Sequence, residues 1–402
     1  MDFVDEFYAD KDLSLLKKLT LVIPTYNRNY YLSRCLWYHA HFPFGEIIVA
    51  DSSPEEKKVV NRETVQKVRE MFGANVRYLE YEPETEKYGG DIFRKWGDAV
   101  QHVETEYCHF CADKDFVIPT TLIRDIIYME EHNEYKVSSG FNASLNSIDL
   151  DENIGYVSKS YESRISLNDS NLFNRLRSNY NCMQPIIYST YNTSVLKEIS
   201  TSISKYKLDI RYGEIAFTIL AHICGKFQYF PENLEYMGDN SIMNKTRAKK
   251  ESSNSRYPSL QEYSKHKECD AFYNNFKSSV IEMITNVLEL DPITVGILIE
   301  KELNNQIVKN IEQTNFTKLM CKFGQNKIIF GLWYRIPYSI KKFCSTITFK
   351  IFGHELILSE NRGNKVSIRS SSPDAIIINF IVKTNHLYIA DSPLQIELMN
   401  KI

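Results

Sequence analysis

Two carboxylates stand two positions apart, at Asp113 and Asp115, directly after the apolar run YCHFCA of residues 107–112. Two such side chains in one loop can converge on a single hard divalent cation such as Mg²⁺ or Mn²⁺, because these cations prefer oxygen ligands and bridge diphosphate oxygens. The alternative is a solvated charged turn, which the same residues would also form. The position directly after a buried strand favours the metal site.

Polar side chains also follow two other apolar runs. Thr25, Tyr26 and Arg28 come after the run LTLVIP, and Asp51 follows the run EIIVA. Arg28 can contact a phosphate group or pair with a surface acid. Asp51 can accept hydrogen bonds from a nucleotide base, or it can cap the helix that follows it.

The elements that position these residues are strands that alternate with helices. Such alternation is typical of a parallel sheet with helices on both faces, in which ligands bind beyond the carboxyl ends of the strands. The polar residues after the apolar runs are therefore expected at one edge of the sheet. The predicted strands cover residues 19–24, 46–50, 75–80 and 107–112, and the predicted helices cover residues 29–39, 55–72 and 88–103.

The composition narrows the class of protein. The chain has 402 residues, with 48 Lys and Arg against 51 Asp and Glu, and 43% of its residues are hydrophobic. These values exclude a disordered chain and a collagen-like repeat, and the near-neutral balance argues against a nucleic-acid binder. The spacing of the eight cysteines predicts no disulfide framework, and the acidic first residues predict no secretory signal peptide. We therefore expect a reducing, cytoplasmic location.

Three segments carry a resemblance to a known family: LVIPTYNR at residues 21–28, EIIVADSS at residues 46–53 and YCHFCADKDF at residues 107–116. In this order they resemble the signatures of family-2 glycosyltransferases of the GT-A fold. The resemblance implies a Rossmann-like, mostly parallel sheet flanked by helices. It also implies a nucleotide-sugar donor and Mg²⁺ or Mn²⁺ as cofactor.

The same resemblance assigns roles to single residues. Thr25, Tyr26 and Asp51 would line the nucleotide pocket, and Lys95 would lie near the diphosphate. Lys114 stands where the family commonly has a third acid, so its charge can replace part of the charge of a metal. The predicted nucleotide-sugar-binding residues are Thr25, Tyr26, Arg28, Asp51, Lys95 and Asp113, and the predicted metal ligands are Asp113 and Asp115.

A general base is the remaining requirement, because an inverting glycosyltransferase must deprotonate the acceptor hydroxyl. In the family this base comes from an acidic motif that opens a helix well after the two aspartates. The segment LDIRYGE of residues 208–214 fits that description. Glu214 is the predicted catalytic base, with Asp209 as the second candidate. The alternative is that Glu214 only stabilises the amino-terminal turn of the helix through the helix dipole.

A basic and aromatic segment lies near the carboxyl terminus. From residue 313 to residue 354 there is no Asp or Glu, and seven Lys and Arg residues alternate with aromatic and aliphatic ones. Such a mixture suits an anionic lipid surface, although it can equally pack on the rest of the protein or contact RNA. The run IIFGLWYRIPY resembles proposed polyisoprenyl-recognition patterns. The predicted lipid-binding residues are Trp333, Arg335, Pro337, Lys341 and Lys342.

The combination of these features resembles proteins encoded in bacterial polysialic-acid capsule clusters. It predicts transfer of a sugar to a polyprenyl-linked, other lipid or glycan acceptor, by a protein peripheral to the inner face of the inner membrane and part of a capsule complex. The alternative is a catalytically silent GT-A scaffold that recruits the capsule polymerase or the lipid acceptor. The predicted organisation is a GT-A domain at 1–245, a linker or mobile loop at 246–258, a mainly helical, basic and aromatic membrane-associating region at 259–360 and a β-rich tail at 361–402.

Overall fold

The structure is a computed structural model. It describes residues 12–83, 92–147, 155–159, 164–172, 174–176, 178, 186–206, 208, 210–239, 270–288, 291–293, 295–297, 346–351 and 354–359. The statements below concern these residues only.

The first part of the chain alternates strands and helices, as the sequence predicts. A short 3₁₀ helix, Ser14–Lys18, precedes the first strand. The elements that follow are β1 (Leu19–Thr25), α1 (Asn29–His39), β2 (Glu46–Asp51), α2 (Glu55–Phe72), β3 (Val76–Glu80), α3 (Ile92–Gln101), β4 (Tyr107–Phe110), β5 (Phe116–Val117) and α4 (Pro119–Glu131).

The second part of the chain contributes further strands to the same sheet and several helices. Its elements are β6 (Tyr135–Ser147), β7 (Gly155–Lys159), β8 (Thr190–Asn192), α5 (Thr193–Ser204), α6 (Ile210–Cys224), β9 (Lys226–Asp239), α7 (Asp270–Leu288), β10 (Thr346–Ile351) and β11 (His354–Ser359).

Nine of these strands form one sheet in the order β3-β2-β1-β4-β8-β6-β9-β5, with β7 paired to β6. Strands β3, β2, β1 and β4 are parallel to one another, and β6 is parallel to β9. The contacts of β8 with β4 and β6, of β5 with β9 and of β7 with β6 are antiparallel. The predicted Rossmann-like sheet with flanking helices is therefore confirmed. The sheet is mixed rather than mostly parallel, because the second half of the chain enters it in both directions.

The central strands form because they are continuous apolar runs. All residues of β1 and β2 are buried, which is typical of parallel strands covered on both faces. Helix α2 has an amphipathic pattern and ends at Gly73, whose φ of 63° closes the helix in the left-handed region. These local patterns place the ends of β1, β2 and β4 at one edge of the sheet.

Helix α7 packs on helix α6. The rings of Tyr212 and Phe276 stack with centroids 5.3 Å apart, and Lys205 Nζ lies 2.7 Å from Glu282. The chain divides into two compact units, residues 1–302 with 368–402, and residues 303–367. The predicted domain end at residue 245 stays a prediction.

In the second unit, the described residues form the antiparallel hairpin of β10 and β11. TITFKI contains four β-branched residues, which favour strands. The mainly helical character of the whole region 259–360 stays a prediction. The predicted linker at 246–258 and the predicted tail at 361–402 lie outside the described residues. None of the helices in the described part of the chain combines the length and the hydrophobicity that crossing a bilayer requires.

Candidate active site

The carboxyl ends of β1, β2 and β4 meet because β1 lies between the other two strands and is parallel to both. Thr25 at the end of β1 pairs in register with Asp51 at the end of β2. The loop after β4 crosses the end of β1, where the Thr25 hydroxyl donates a hydrogen bond of 2.8 Å to Asp113 Oδ2. The convergence predicted from the three motifs is therefore present.

Asp113 is nearly closed off from solvent, with 3% of its surface exposed. Its second carboxylate oxygen, Oδ1, lies 3.4 Å from Arg28 Nη1. Burial raises the pKa of the Asp113 carboxyl, whereas the Arg28 charge and the Thr25 hydrogen bond act in the opposite direction. Arg28 is half-exposed, so its guanidinium can also reach a ligand that enters from solvent.

Asp115 is held by residues from other elements. Its Oδ2 accepts a hydrogen bond of 2.7 Å from the hydroxyl of Tyr236 in β9, and its Oδ1 lies 3.7 Å from Lys114 Nζ. Its backbone N–H donates to the carbonyl of Ala112 across the turn. From α1, the buried Arg34 donates a 2.9 Å hydrogen bond to the carbonyl of Lys114. The loop that carries both carboxylates is thus fixed from two sides.

A divalent cation fits the donor set of this loop. The two carboxylates are hard oxygen donors, and in each of them one oxygen is oriented by a protein hydroxyl. A Cβ atom placed on Gly238 would lie 3.8 Å from Asp115 Oδ1, so the glycine leaves space beside that oxygen. Asp113 and Asp115 are accordingly the residues that would hold Mg²⁺ or Mn²⁺.

A second group, Cys35, His39 and Cys111, brings three metal-ligand atoms within 4.8 Å of one another. His39 Nδ1 lies 2.8 Å from the Cys35 carbonyl, which can only accept, and His39 Nε2 lies 3.2 Å from the Val117 N–H, which can only donate. Both ring nitrogens are thus in use, and the proton sits on Nδ1. In this arrangement Nδ1 donates to the Cys35 carbonyl, so a metal ion at Nδ1 would replace that hydrogen bond.

Asp51 lies beside Thr25, as predicted, but its carboxylate faces protein donors. Oδ1 accepts from the backbone N–H of Ser53 at 2.7 Å. Oδ2 accepts from Asn61 Nδ2 at 2.6 Å and from the Tyr78 hydroxyl at 2.5 Å. In this structure Asp51 therefore organises the end of β2.

Lys95 joins the ends of β1 and β2. Its ammonium group, with the residue 6% exposed, donates to the Thr25 carbonyl at 3.1 Å and to Ser52 Oγ at 2.6 Å. The Tyr26 side chain, by contrast, is 40% exposed at the same edge. The next residue, Asn27, adopts a φ of 56° and donates its N–H to Ser53 Oγ. Six predicted residues are thereby brought together: Thr25, Tyr26, Arg28, Asp51, Lys95 and Asp113.

Glu214 is the fifth residue of α6 and is exposed. Its place in the second turn weakens the reading as a first-turn carboxylate that stabilises the helix dipole. Burial and the charges of Asp115 and Glu214 together raise the pKa of Tyr188. Glu214 is therefore within electrostatic reach of the side chain that neighbours the two aspartates. Asp209 and the predicted lipid-binding residues, Trp333, Arg335, Pro337, Lys341 and Lys342, lie outside the described residues.

Sequence reasoning missed three residues of this site. Tyr236 holds Asp115, Arg34 holds the loop, and the ring of Tyr188 stacks on the ring of Tyr236 with centroids 4.7 Å apart. None of them belongs to the three motifs. No local pattern indicates them, because each contacts the site from a segment distant in the sequence.

No protein-family model matches the chain, and no curated protein matches it. Solved structures to which it is similar include residues 1–349 of TarS from S. aureus in complex with UDP-GlcNAc, at 19% identity and a TM-score of 0.43, covering 69% of this chain and 69% of that one. Another is the mannosyltransferase PcManGT from Pyrobaculum calidifontis in complex with GDP-Man and Mn²⁺, at 12% identity and a TM-score of 0.36, covering 72% of this chain and 80% of that one. No conclusion about the chemistry of this chain follows from similarities of this size.

Proposed function

We propose that the chain is a glycosyltransferase that moves a sugar from a nucleotide-sugar donor to a lipid-linked or glycan acceptor. The observation that carries this proposal is the meeting of three strand ends, where the Thr25 hydroxyl contacts Asp113 and the Lys95 ammonium joins β1 to β2. Oxygen ligands and cationic groups at the carboxyl edge of an α/β sheet are the groups that bind a phosphorylated ligand.

The donor side of the site is built from opposite charges. Arg28 and Lys95 supply positive charge for phosphate oxygens, and the Asp113 and Asp115 carboxylates supply ligands for Mg²⁺ or Mn²⁺. Asp113 and Asp115 would hold this cation, and its charge would offset the charge of a departing nucleoside diphosphate. The protein's own task is to hold both carboxylates and the two cationic side chains in place before the donor arrives.

The acceptor side requires a base near the sugar. In the proposed mechanism Glu214 takes the proton of the acceptor hydroxyl while the oxygen attacks the anomeric carbon from the face opposite the leaving group, which inverts the configuration. Burial and the charges of Asp115 and Glu214 raise the pKa of the half-buried Tyr188, so this side chain lies within electrostatic reach of both groups.

The cellular role that we propose is synthesis of a bacterial capsular polysaccharide, as for NeuE-like proteins of polysialic-acid clusters. A site with two aspartates for a metal suits a diphosphate donor better than a CMP-sugar, which has a single phosphate. The transferred sugar is therefore proposed not to be sialic acid. The basic and aromatic segment would hold the protein at the inner face of the membrane, where a polyprenyl-linked acceptor is exposed.

A catalytically silent scaffold is the second candidate, and one observation favours it. Both oxygens of Asp51 accept hydrogen bonds from protein donors, so the carboxylate already has partners without a nucleotide base. A scaffold would keep the fold and recruit a capsule polymerase or a lipid acceptor without binding a donor. Donor binding and turnover therefore separate the two candidates.

The test is a screen of nucleoside diphosphates and nucleotide sugars against the full chain, with and without Mn²⁺, by thermal shift and by hydrolysis. UDP-GlcNAc and GDP-Man are the first probes, since they are the donors in the structures named above. We expect stabilisation by one donor class that depends on Mn²⁺, together with slow hydrolysis. Asp113→Asn and Asp115→Asn are expected to abolish both effects.

Glu214→Gln tests the acceptor side. We expect it to lower the transfer rate by about 10²- to 10⁴-fold, the range of general-base contributions, with donor binding unchanged. Asp98→Asn, in an exposed part of α3, is the matched control and should behave as the wild type. If the wild-type protein binds no donor, and the aspartate variants still support capsule production in cells, the proposal of glycosyltransferase activity is refuted and the scaffold is favoured.

A further inference from the structure

We infer that Tyr236 is a positioning residue for Asp115 and thereby sets the affinity of the site for a divalent cation. This inference rests on the proposed function. The Tyr236 hydroxyl donates to Asp115 Oδ2 at 2.7 Å and accepts the N–H of Ala112 at 3.2 Å. One phenol group thus contacts both the carboxylate and the backbone of the turn that carries it.

The direction of these hydrogen bonds fixes the orientation of the carboxylate. The backbone N–H of Ala112 can only donate, so the phenol accepts there and uses its single proton on Asp115. Oδ2 is then held by Tyr236, while Oδ1 is the oxygen beside Gly238 and Lys114. A carboxylate that is fixed in this way does not lose rotational freedom when it binds a cation.

The ring of Tyr236 is itself fixed by its neighbours. It is buried and stacks on Tyr188, and the ring of His109 lies nearly parallel to it with centroids 6.4 Å apart. The preceding residue, Glu235, accepts hydrogen bonds from the Gly140 N–H and contacts His109 Nε2 at 3.2 Å. The next residue, Met237, pairs with Phe116 of β5, just beyond the acidic loop. The phenol position therefore follows from the sheet.

The experiment compares Tyr236→Phe with Tyr191→Phe in the full chain. Tyr191 is an equally buried tyrosine whose hydroxyl donates to the Ile186 carbonyl, in contact with neither aspartate. Mn²⁺ binding is measured by electron paramagnetic resonance in the presence of UDP or GDP, whichever the wild type binds. The affinity for that nucleotide without metal is measured by calorimetry.

Loss of a group that orients a metal ligand typically weakens metal binding about 10- to 100-fold. We expect Tyr236→Phe to weaken Mn²⁺ binding by such a factor and to leave the metal-free nucleotide affinity within about 2-fold of wild type. Tyr191→Phe should leave both affinities unchanged. A general loss of structure would instead weaken metal and nucleotide binding together, and this result would overturn the inference.

Three further outcomes are decisive. If the wild type binds Mn²⁺ with nucleotide and Tyr236→Phe binds it equally well, the positioning role is refuted while the proposed function stands. If the wild type binds nucleotide but no Mn²⁺, the metal site fails and the inference fails with it. If the wild type binds neither ligand, the proposed function itself is refuted. Should Tyr236→Phe not fold, Asp115→Glu displaces the carboxylate from the phenol, and unchanged Mn²⁺ affinity in that variant also refutes the inference.

Discussion

The hydrogen bond between Thr25 and Asp113 offers a sharp test of the charge state of the site. Thr25→Val keeps the shape of the side chain and removes the hydroxyl that donates a hydrogen bond of 2.8 Å to Asp113 Oδ2. Because both residues are buried, no water replaces the lost donor at the carboxylate. Thr20→Val is a matched control in the same strand, since the buried Thr20 hydroxyl contacts the neutral hydroxyl of Thr105 at 2.7 Å.

The magnitude follows from the charge of the acceptor. A hydrogen bond to an ionised group contributes about 1.5–3 kcal/mol to the free energy of unfolding, and one between neutral groups contributes about 0.5–1.5 kcal/mol. We therefore expect Thr25→Val to cost about 1 kcal/mol more than Thr20→Val at neutral pH. The gain in β propensity from valine is common to both variants and largely cancels.

The cost of Thr25→Val also depends on pH. Burial raises the pKa of Asp113 above its unfolded value of about 3.9, and the Thr25 hydrogen bond partly opposes that rise. For a carboxyl with a raised folded pKa, stability is fully present below the unfolded pKa and is lost as the pH rises through the folded pKa. Removing the hydroxyl raises the folded pKa further. The destabilisation by Thr25→Val should therefore be larger at pH 7 than at pH 4.

The assay is urea denaturation at pH 4 and pH 7, followed by tryptophan fluorescence, with both variants and the wild type side by side. Thr20→Val should cost the same at the two pH values, because its partner is not ionisable. If both variants lose the same free energy of unfolding at pH 7, and if the loss for Thr25→Val does not change with pH, then Asp113 is not an ionised acceptor of this hydrogen bond.

Three further predictions follow from other parts of the chain. A Cβ at Gly213 would overlap the ring of Phe93, so Gly213→Ala should lower the free energy of unfolding by about 1–3 kcal/mol in a thermal or urea melt. Gly296→Ala is the control and should not destabilise the protein, because its Cβ would lie 3.6 Å from Ile281 Cδ1. Burial and the charge of Glu235 raise the pKa of Asp125 to about 7. The free energy of unfolding of the wild type, relative to that of Asp125→Asn, should therefore fall as the pH rises from 4 through 7. A difference between the two free energies that does not change with pH would contradict this pKa. The double variant Lys341→Glu, Lys342→Glu should bind anionic liposomes at least about 10-fold more weakly than the wild type, because each lysine near the membrane contributes about 1 kcal/mol. The control variant Lys57→Glu, Lys67→Glu in α2 should bind as the wild type does. Equal binding of the two double variants would favour packing of the basic segment on the protein.

The parts of the fold that sequence predicts well are those whose pattern is local. Strands β1 and β2 are uninterrupted apolar runs, and α2 carries its own periodicity and terminal glycine. Strand β9 was not predicted. It contains Pro231 and two glutamates, and it forms because β6 and β5 pair with it and because buried polar groups such as Ser139 and Glu235 satisfy one another across the sheet.

The site shows the same division between local and distant information. The aspartates after β4 were found because two acids after an apolar strand are a local pattern. The hydrogen bonds of the Asp51 carboxylate could not be predicted in this way. Their donors, Asn61 and Tyr78, reach Asp51 only when α2 and β3 have packed on β2. Tyr236 was missed for the same reason, being 121 residues beyond Asp115.

Only Gly225 separates the end of α6 from the start of β9. The helix that bears Glu214 and the strand that bears Tyr236 are thus joined by a single residue. A larger side chain does not fit at this position, since a Cβ at Gly225 would collide with Lys136. A graft that replaced α6 alone would therefore also disturb the position of Tyr236 and, through it, of Asp115. Such a graft should instead carry residues 210–239 as one cassette.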